Sequence, residues 1–155
     1  MSALKADLAI SRLIKAPPAA VWKGWAEVEH FDRWWIPHPM ECRSIKHDLR
    51  PGGGFETLMR EPGGERRPHM EACFLEVVPS ERLVFTTQLG EDWRPIGPWL
   101  SLTAIITLTP EDGGTRYAAQ VMHRTPEEAA KHADLGFTDG WGTAIEQLGE
   151  LVVER

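Results

Sequence analysis

The sequence predicts an α+β domain in which a curved antiparallel sheet of about seven strands wraps one long C-terminal helix. Three observations predict it. Short alternating runs separated by Gly- and Pro-rich turns fill the middle of the chain. Two short helical segments follow the first strand, and an apolar stripe at three- and four-residue spacing closes the chain.

Residues 7–16 alternate Leu8, Ile10, Arg12 and Ile14 against Ala9, Ser11, Leu13 and Lys15, the pattern of a strand with one partly exposed face. Pro17-Pro18 ends it and suits a helix start, where the missing N–H of proline costs nothing. Val21, Trp22 and Trp25 then recur at helical spacing within residues 19–26, and residues 28–35 read as a second short helix stopped by Ile36-Pro37-His38-Pro39. Four turns follow: Pro51-Gly52-Gly53-Gly54, Pro62-Gly63-Gly64, Val78-Pro79-Ser80-Glu81 and Asp112-Gly113-Gly114. The alternating runs around them are residues 41–49, 55–60, 67–77, 82–89, 99–109 and 115–123. Sequential strands with short connections make an antiparallel meander, and the first strand completes the sheet.

Thr125-Pro126-Glu127-Glu128 is a capping box with proline at the first helical position, and Gly136 breaks or kinks the helix it opens. Phe137, Trp141, Ile145, Leu148 and Val152 form the closing stripe. Such a stripe must lie on something apolar, and the concave face of the sheet is the one large partner on offer.

With no internal repeat, low-complexity tract or long polar linker, residues 1–155 are expected to form a single domain. Lys plus Arg number 17 and Asp plus Glu 23, a net charge of -6. That balance excludes nucleic acid, which needs a basic field, and an anionic membrane surface. No apolar run approaches the ~18–20 residues of a membrane span, and the first residues lack the features of a signal peptide. Cys42 and Cys73 are too few for a disulfide framework or a zinc site, and read as reduced thiols of a cytoplasmic protein. Seven tryptophans suit both a core and the wall of a ligand pocket.

The Pro51–Gly54 run lacks a following Lys-Ser or Lys-Thr and opens no helix, so it is a turn and not a phosphate loop. The histidines show no metal-ligand spacing, and no Gly-x-Ser-x-Gly elbow or Cys–His pairing marks a nucleophile. Strand alternation puts His69 and Glu71 on the same face as Cys73, Leu75 and Val77, with His123 ending another strand near the same mouth. If the apolar members face the helix, the two ionisable ones face a space that holds water or a ligand's polar head.

Several stretches together resemble one superfamily. They are Ala16-Pro17-Pro18-Ala19-Ala20-Val21-Trp22, Trp34-Trp35-Ile36-Pro37, Arg50-Pro51-Gly52-Gly53-Gly54-Phe55, Glu76-Val77-Val78-Pro79-Ser80-Glu81-Arg82-Leu83, Gly114-Thr115-Arg116 and Gly140-Trp141. Spread in order over nearly the whole chain, they resemble the START-like, helix-grip (SRPBCC) superfamily. Within it, they are similar to the family named after the activator of the heat-shock protein 90 ATPase, in its stand-alone bacterial form. The resemblance implies a ligand pocket between sheet and long helix but no single activity, since the family spans chaperone cofactors tied to the stress response, cyclase-like proteins and members without an assigned role. The co-chaperone that names the family has an additional N-terminal domain, for which these residues leave no room, so chaperone activation is not the expected role.

The resulting expectation is a binding protein for a small apolar or aromatic ligand, working without a cofactor as a monomer or homodimer. Trp35, Met59, His69, Glu71, Phe85, His123, Phe137 and Trp141 are the candidate lining residues. Two alternatives stay open: a cofactor-free cyclase- or hydrolase-type enzyme using His69, Glu71 or His123 as acid or base, and a chaperone-cofactor-like partner-binding protein.

Overall fold

A computed structural model describes residues 5–153. In chain order the elements are β1 (Leu8–Ile14), α1 (Pro18–Ala26), α2 (Val28–Trp34), β2 (Glu41–His47), β3 (Gly54–Arg60), β4 (Arg67–Val78), β5 (Arg82–Thr86), β6 (Leu89–Gly90), β7 (Arg94–Pro95), β8 (Leu102–Glu111), β9 (Gly114–His123), α3 (Pro126–Asp134) and α4 (Phe137–Val153). Seven strands form one antiparallel sheet in the order β1-β9-β8-β5-β4-β3-β2, so the α+β helix-grip architecture is the observed one. The meander from β2 onward sets neighbour beside neighbour, and β1 returns to pair with β9 from Leu8 opposite Val121 to Ile14 opposite Thr115.

The strands expected over 82–89 and 99–109 are shorter at their facing ends. Residues 89–95 peel away into a small hairpin of β6 and β7, which docks against the turn after β2 through a hydrogen bond from the Asp92 N–H to the Gly52 carbonyl at 2.9 Å. This hairpin covers the face of the sheet away from α4.

Helix packing explains several otherwise costly choices. Gly24 lies where α1 crosses α4: a Cβ there would stand 2.5 Å from Cδ1 of Leu148. Its bare carbonyl accepts from Nε1 of Trp34 at 2.9 Å. The last carbonyls of α2 would be orphaned in a buried site. Gln147 of α4 satisfies the last of them, donating from Nε2 to the Trp34 carbonyl at 2.9 Å and to the Ile36 carbonyl just beyond the helix at 3.0 Å, while its Oε1 accepts from the His38 N–H at 2.8 Å.

Thr125 caps α3, its hydroxyl accepting from the Glu128 N–H at 3.2 Å. The Glu128 carboxylate reaches across the fold to accept from the Ser101 N–H at 2.8 Å. Gly136, at φ +93°, adopts the left-handed conformation that turns α3 into α4. Phe137, Ile145, Leu148 and Val152 are buried in one cluster with Ile10, Ala104, Tyr117 and Ala119 of the sheet, and Trp141 packs half-buried at its edge.

Candidate functional site

Where α3 hands over to α4, helix and sheet stand apart and leave a pocket of about 230 Å³. Its walls come from the end of α2, the start of β4, the segment leading into β8, and α4 itself. None of the lining residues is Asp, Glu, Lys or Arg. Trp99 and Leu135, 63% and 58% exposed, stand at its mouth.

Two histidines supply most of its polarity. His69 reaches the pocket from β4, its Nδ1 2.9 Å from Oγ1 of the fully buried Thr57. Burial lowers its pKa to about 4. His132, 8% exposed, enters from α3, and its Nδ1 stands 2.9 Å from Nε2 of His123. Burial, assisted by the neighbouring His123, lowers its pKa to about 4 as well. Both imidazoles are therefore neutral at physiological pH, and the pocket carries no formal charge. Nε1 of Trp35 is buried without a hydrogen-bond partner among the described residues, which leaves one donor for an incoming acceptor or water to satisfy.

Of the expected lining residues, Trp35, His69, Phe137 and Trp141 line this pocket, and Met59, Glu71, Phe85 and His123 do not. Phe85 is fully buried one layer below, against the Trp35 ring at 6.1 Å. Met59 sits opposite Cys42 on the outer β2–β3 pair. His123 stands behind His132 and meets the pocket only through it.

Glu71 requires a correction. Strand alternation along residues 67–77 breaks at two bulges, which the sequence pattern does not reveal. At the first, Thr57 pairs with Met70 and Leu58 with Pro68, so His69 is an extra residue and faces the pocket beside Met70. Pro68, which has no N–H to give the ladder, sits at this irregularity as proline in a sheet must. Beyond it Ala72 and Phe74 join the core beneath α4, while Glu71 is exposed and its carboxylate approaches Gly90 of the outer hairpin. Cys73, buried but outside the core cluster, also faces that hairpin. The second bulge, at Leu75, returns Val77 to the core side opposite Leu83.

The sequence reading passed over His132, Tyr117 and Trp99. His132 lies in the polar run Glu127–Asp134, where a single histidine among charges carries no signal of its own. Cys42 and Cys73 are free thiols, and burial raises the pKa of both, with Asp32 adding to the effect at Cys42. Among the described residues no group of His, Cys, Asp and Glu is placed to hold a metal ion, and no helix is long and apolar enough to cross a membrane. A second hollow of about 430 Å³ between α2, β2 and α4 is larger, but Asp32, Arg33, Glu41 and Glu150 line it and leave it a polar surface depression.

The chain matches the family described as Activator of Hsp90 ATPase homolog 1-like protein over residues 15–153. It belongs to this family. Among solved structures, a protein of Nitrosomonas europaea is similar to this member at 41% identity and TM-score 0.87, with 97% of each chain covered. One from Mycobacterium smegmatis is similar at 27% identity and TM-score 0.78, covering 97% of this chain and 95% of its own. A protein of Arthrobacter aurescens, at 24% identity and TM-score 0.81 with 95% and 86% covered, shares the fold. Among curated proteins none matches.

Proposed function

We propose that this Hsp90-activator-like domain binds a small, uncharged aromatic ligand in the pocket between α4 and the sheet. One observation carries the reading: an uncharged space of about 230 Å³, walled by Trp35, Phe137 and Trp141, receives two neutral imidazoles and the buried Nε1 of Trp35, which has no partner among the described residues. A filled core has no use for such a group, because an unmatched buried donor costs about 1–3 kcal/mol. An apolar cavity of about 150 Å³ already takes up benzene, so this pocket suits one ring or two fused rings. The free thiols support a cytoplasmic setting.

The test is a titration with naphthalene and indole, read by tryptophan fluorescence and ligand-observed NMR. Saturable binding is expected in the wild-type chain and absent in Gly140→Leu. A Cβ added at Gly140 meets nothing within 4 Å, so the longer side chain enters the hollow and leaves packing intact. Helix propensity should raise the stability of that variant by up to about 1 kcal/mol, which guards against reading a folding defect as lost binding. No binding by the wild type, or equal binding by Gly140→Leu, would remove the ligand reading.

A further inference from the structure

Behind His132 runs a chain of hydrogen bonds that reaches the surface. Asp7 precedes β1, His123 ends β9, and His132 lies on α3, so three separate elements contribute one residue each. The Asp7 carboxylate oxygen Oδ2 accepts from the His123 backbone N–H at 2.7 Å and stands 3.3 Å from Nδ1 of the same residue. The His123 side chain is fully buried, while Asp7 keeps 41% of its side chain in solvent.

The proton positions follow from donor and acceptor counting. A carboxylate only accepts, and a neutral imidazole has one donor nitrogen and one acceptor nitrogen. In an uncharged His123 ring, Nδ1 holds the proton against Asp7, which leaves Nε2 with a lone pair. Nδ1 of His132, 2.9 Å away, must then be the donor to it. The remaining nitrogen of His132, Nε2, is left as an acceptor. It has no partner among the described residues, it is not sealed off, and its ring lines the pocket. Phe137 and Trp141 flank that ring edge-on, with centroids 5.1 and 6.1 Å from it. The charged neighbours on α3 point elsewhere: Glu128 is engaged by Ser101 and Arg124, and Lys131 by the Trp99 carbonyl.

We infer that the pocket selects small aromatic compounds bearing a hydroxyl, whose O–H donates to Nε2 of His132, with Asp7 and His123 as positioning residues that hold this nitrogen as an acceptor. The inference rests on the ligand reading of the pocket given above. An ether of the same shape brings only acceptors: it can meet the Nε1 donor of Trp35 but leaves Nε2 of His132 unmatched. Sites that hydrogen-bond a ligand hydroxyl discriminate strongly against analogues lacking it, because their own polar group is then stranded.

Three probes separate the terms. 2-Naphthol, 2-methoxynaphthalene and naphthalene share a ring system and differ in the donor. Calorimetric titration at pH 7 should show 2-naphthol binding on the order of tenfold tighter than either of the others. Asp7→Ala should collapse that preference toward unity and leave naphthalene affinity unchanged, an outcome that a purely structural role for Asp7 would not produce. Independently of any ligand, long-range nitrogen–proton NMR on the wild type should find the His132 proton on Nδ1 and none on Nε2. An Nε2–H tautomer at His132 would overturn the relay, and equal binding of 2-naphthol and its methyl ether would overturn the selectivity while sparing the pocket. If none of the three binds at millimolar concentration, the ligand reading falls and the selectivity with it, whatever the tautomer.

Discussion

Along one concave sheet face, the part facing α1 and α2 is packed solid with rings, while the part facing α3 is hollow and set with imidazoles. In the first region Trp25 stands 5.0, 5.4 and 5.9 Å from the rings of Phe31, Trp34 and Phe55, and Phe55 stacks on Phe74 at 4.7 Å. Two of its indole donors are met, Nε1 of Trp25 by the Tyr117 hydroxyl at 3.0 Å and Nε1 of Trp34 by the Gly24 carbonyl at 2.9 Å, while Nδ1 of His47 is buried beside these rings without a partner among the described residues. In the second region His69 and His132 each spend one nitrogen on the protein and keep the other open to the pocket. Trp35 is the wall between them, in contact with Trp25 and Phe85 on one side and with Trp141 at 6.0 Å on the other. The difference teaches a division of labour: the packed region supplies the stability that lets the hollow one keep unmatched polar groups.

The sharpest way to break this comparison is at its packed end. Trp25→Ala should cost about 3–5 kcal/mol, because it leaves a large cavity among rings and strands the buried Tyr117 hydroxyl. Urea unfolding of the two proteins measures it. A loss below about 1 kcal/mol would mean that the ring cluster relaxes freely and does not carry the fold.

Sequence made that packed end legible and the hollow end only half so. The stripe Phe137, Ile145, Leu148 and Val152 and the glycine turns follow rules that act within one element, and they place α4 on the sheet. The Trp34–Trp35 pair lies where the two regions meet: Trp34 is 1% exposed in the core, Trp35 is partly buried, and both border the pocket. Glu71 failed because a bulge inserts one residue without changing composition, and side chains beyond it change face until the second bulge at Leu75. His132 escaped because its partner, His123, lies on a different element, and only the tertiary fold brings them to 2.9 Å.

The next largest effect is acid. His69 and His132 titrate near 4 when folded, against 6.5 in the unfolded chain. Between those values the unfolded chain takes up protons that the native state refuses, so stability falls as pH drops from 6.5 and levels off below about 4. Each imidazole should remove about 2 kcal/mol by pH 4, allowing for screening through the pocket mouth. Burial also lowers the pKa of His47, which adds in the same direction. Replacing His69 by Gln should flatten the dependence by one proton between pH 6.5 and 4 in denaturant titrations. An unchanged slope would show that His69 does not titrate as its burial requires.

Trp141→Ala tests the boundary between the two regions. Trp141 is half-buried and touches Trp35, Phe137 and His132, so its loss should cost about 1–2 kcal/mol, well short of a fully buried ring. Naphthalene binding should weaken by at least about tenfold, since the ring forms a face of the pocket. If stability falls as far as in Trp25→Ala with binding intact, the two ends are a single core and the proposed division fails.

The smallest effect on stability, and the most informative about access, belongs to Trp99. Its indole spans the mouth with slight attachments: Nε1 donates to the His69 carbonyl at a marginal 3.4 Å, and its own carbonyl accepts from Nζ of Lys131 at 3.0 Å. The Lys131 ammonium also sits 5.3 Å from the indole centroid, a cation–π contact worth about 0.5–1 kcal/mol at an exposed site. A ring that is 63% exposed and held this weakly can swing without disturbing the sheet. Trp99→Ala should therefore change unfolding stability by no more than about 0.5 kcal/mol. Dissociation of naphthalene, followed by NMR exchange, should accelerate several-fold while the packed end keeps its near-ultraviolet signature. A destabilisation beyond about 2 kcal/mol would place Trp99 with the core, and an unchanged off-rate would mean that ligands enter elsewhere.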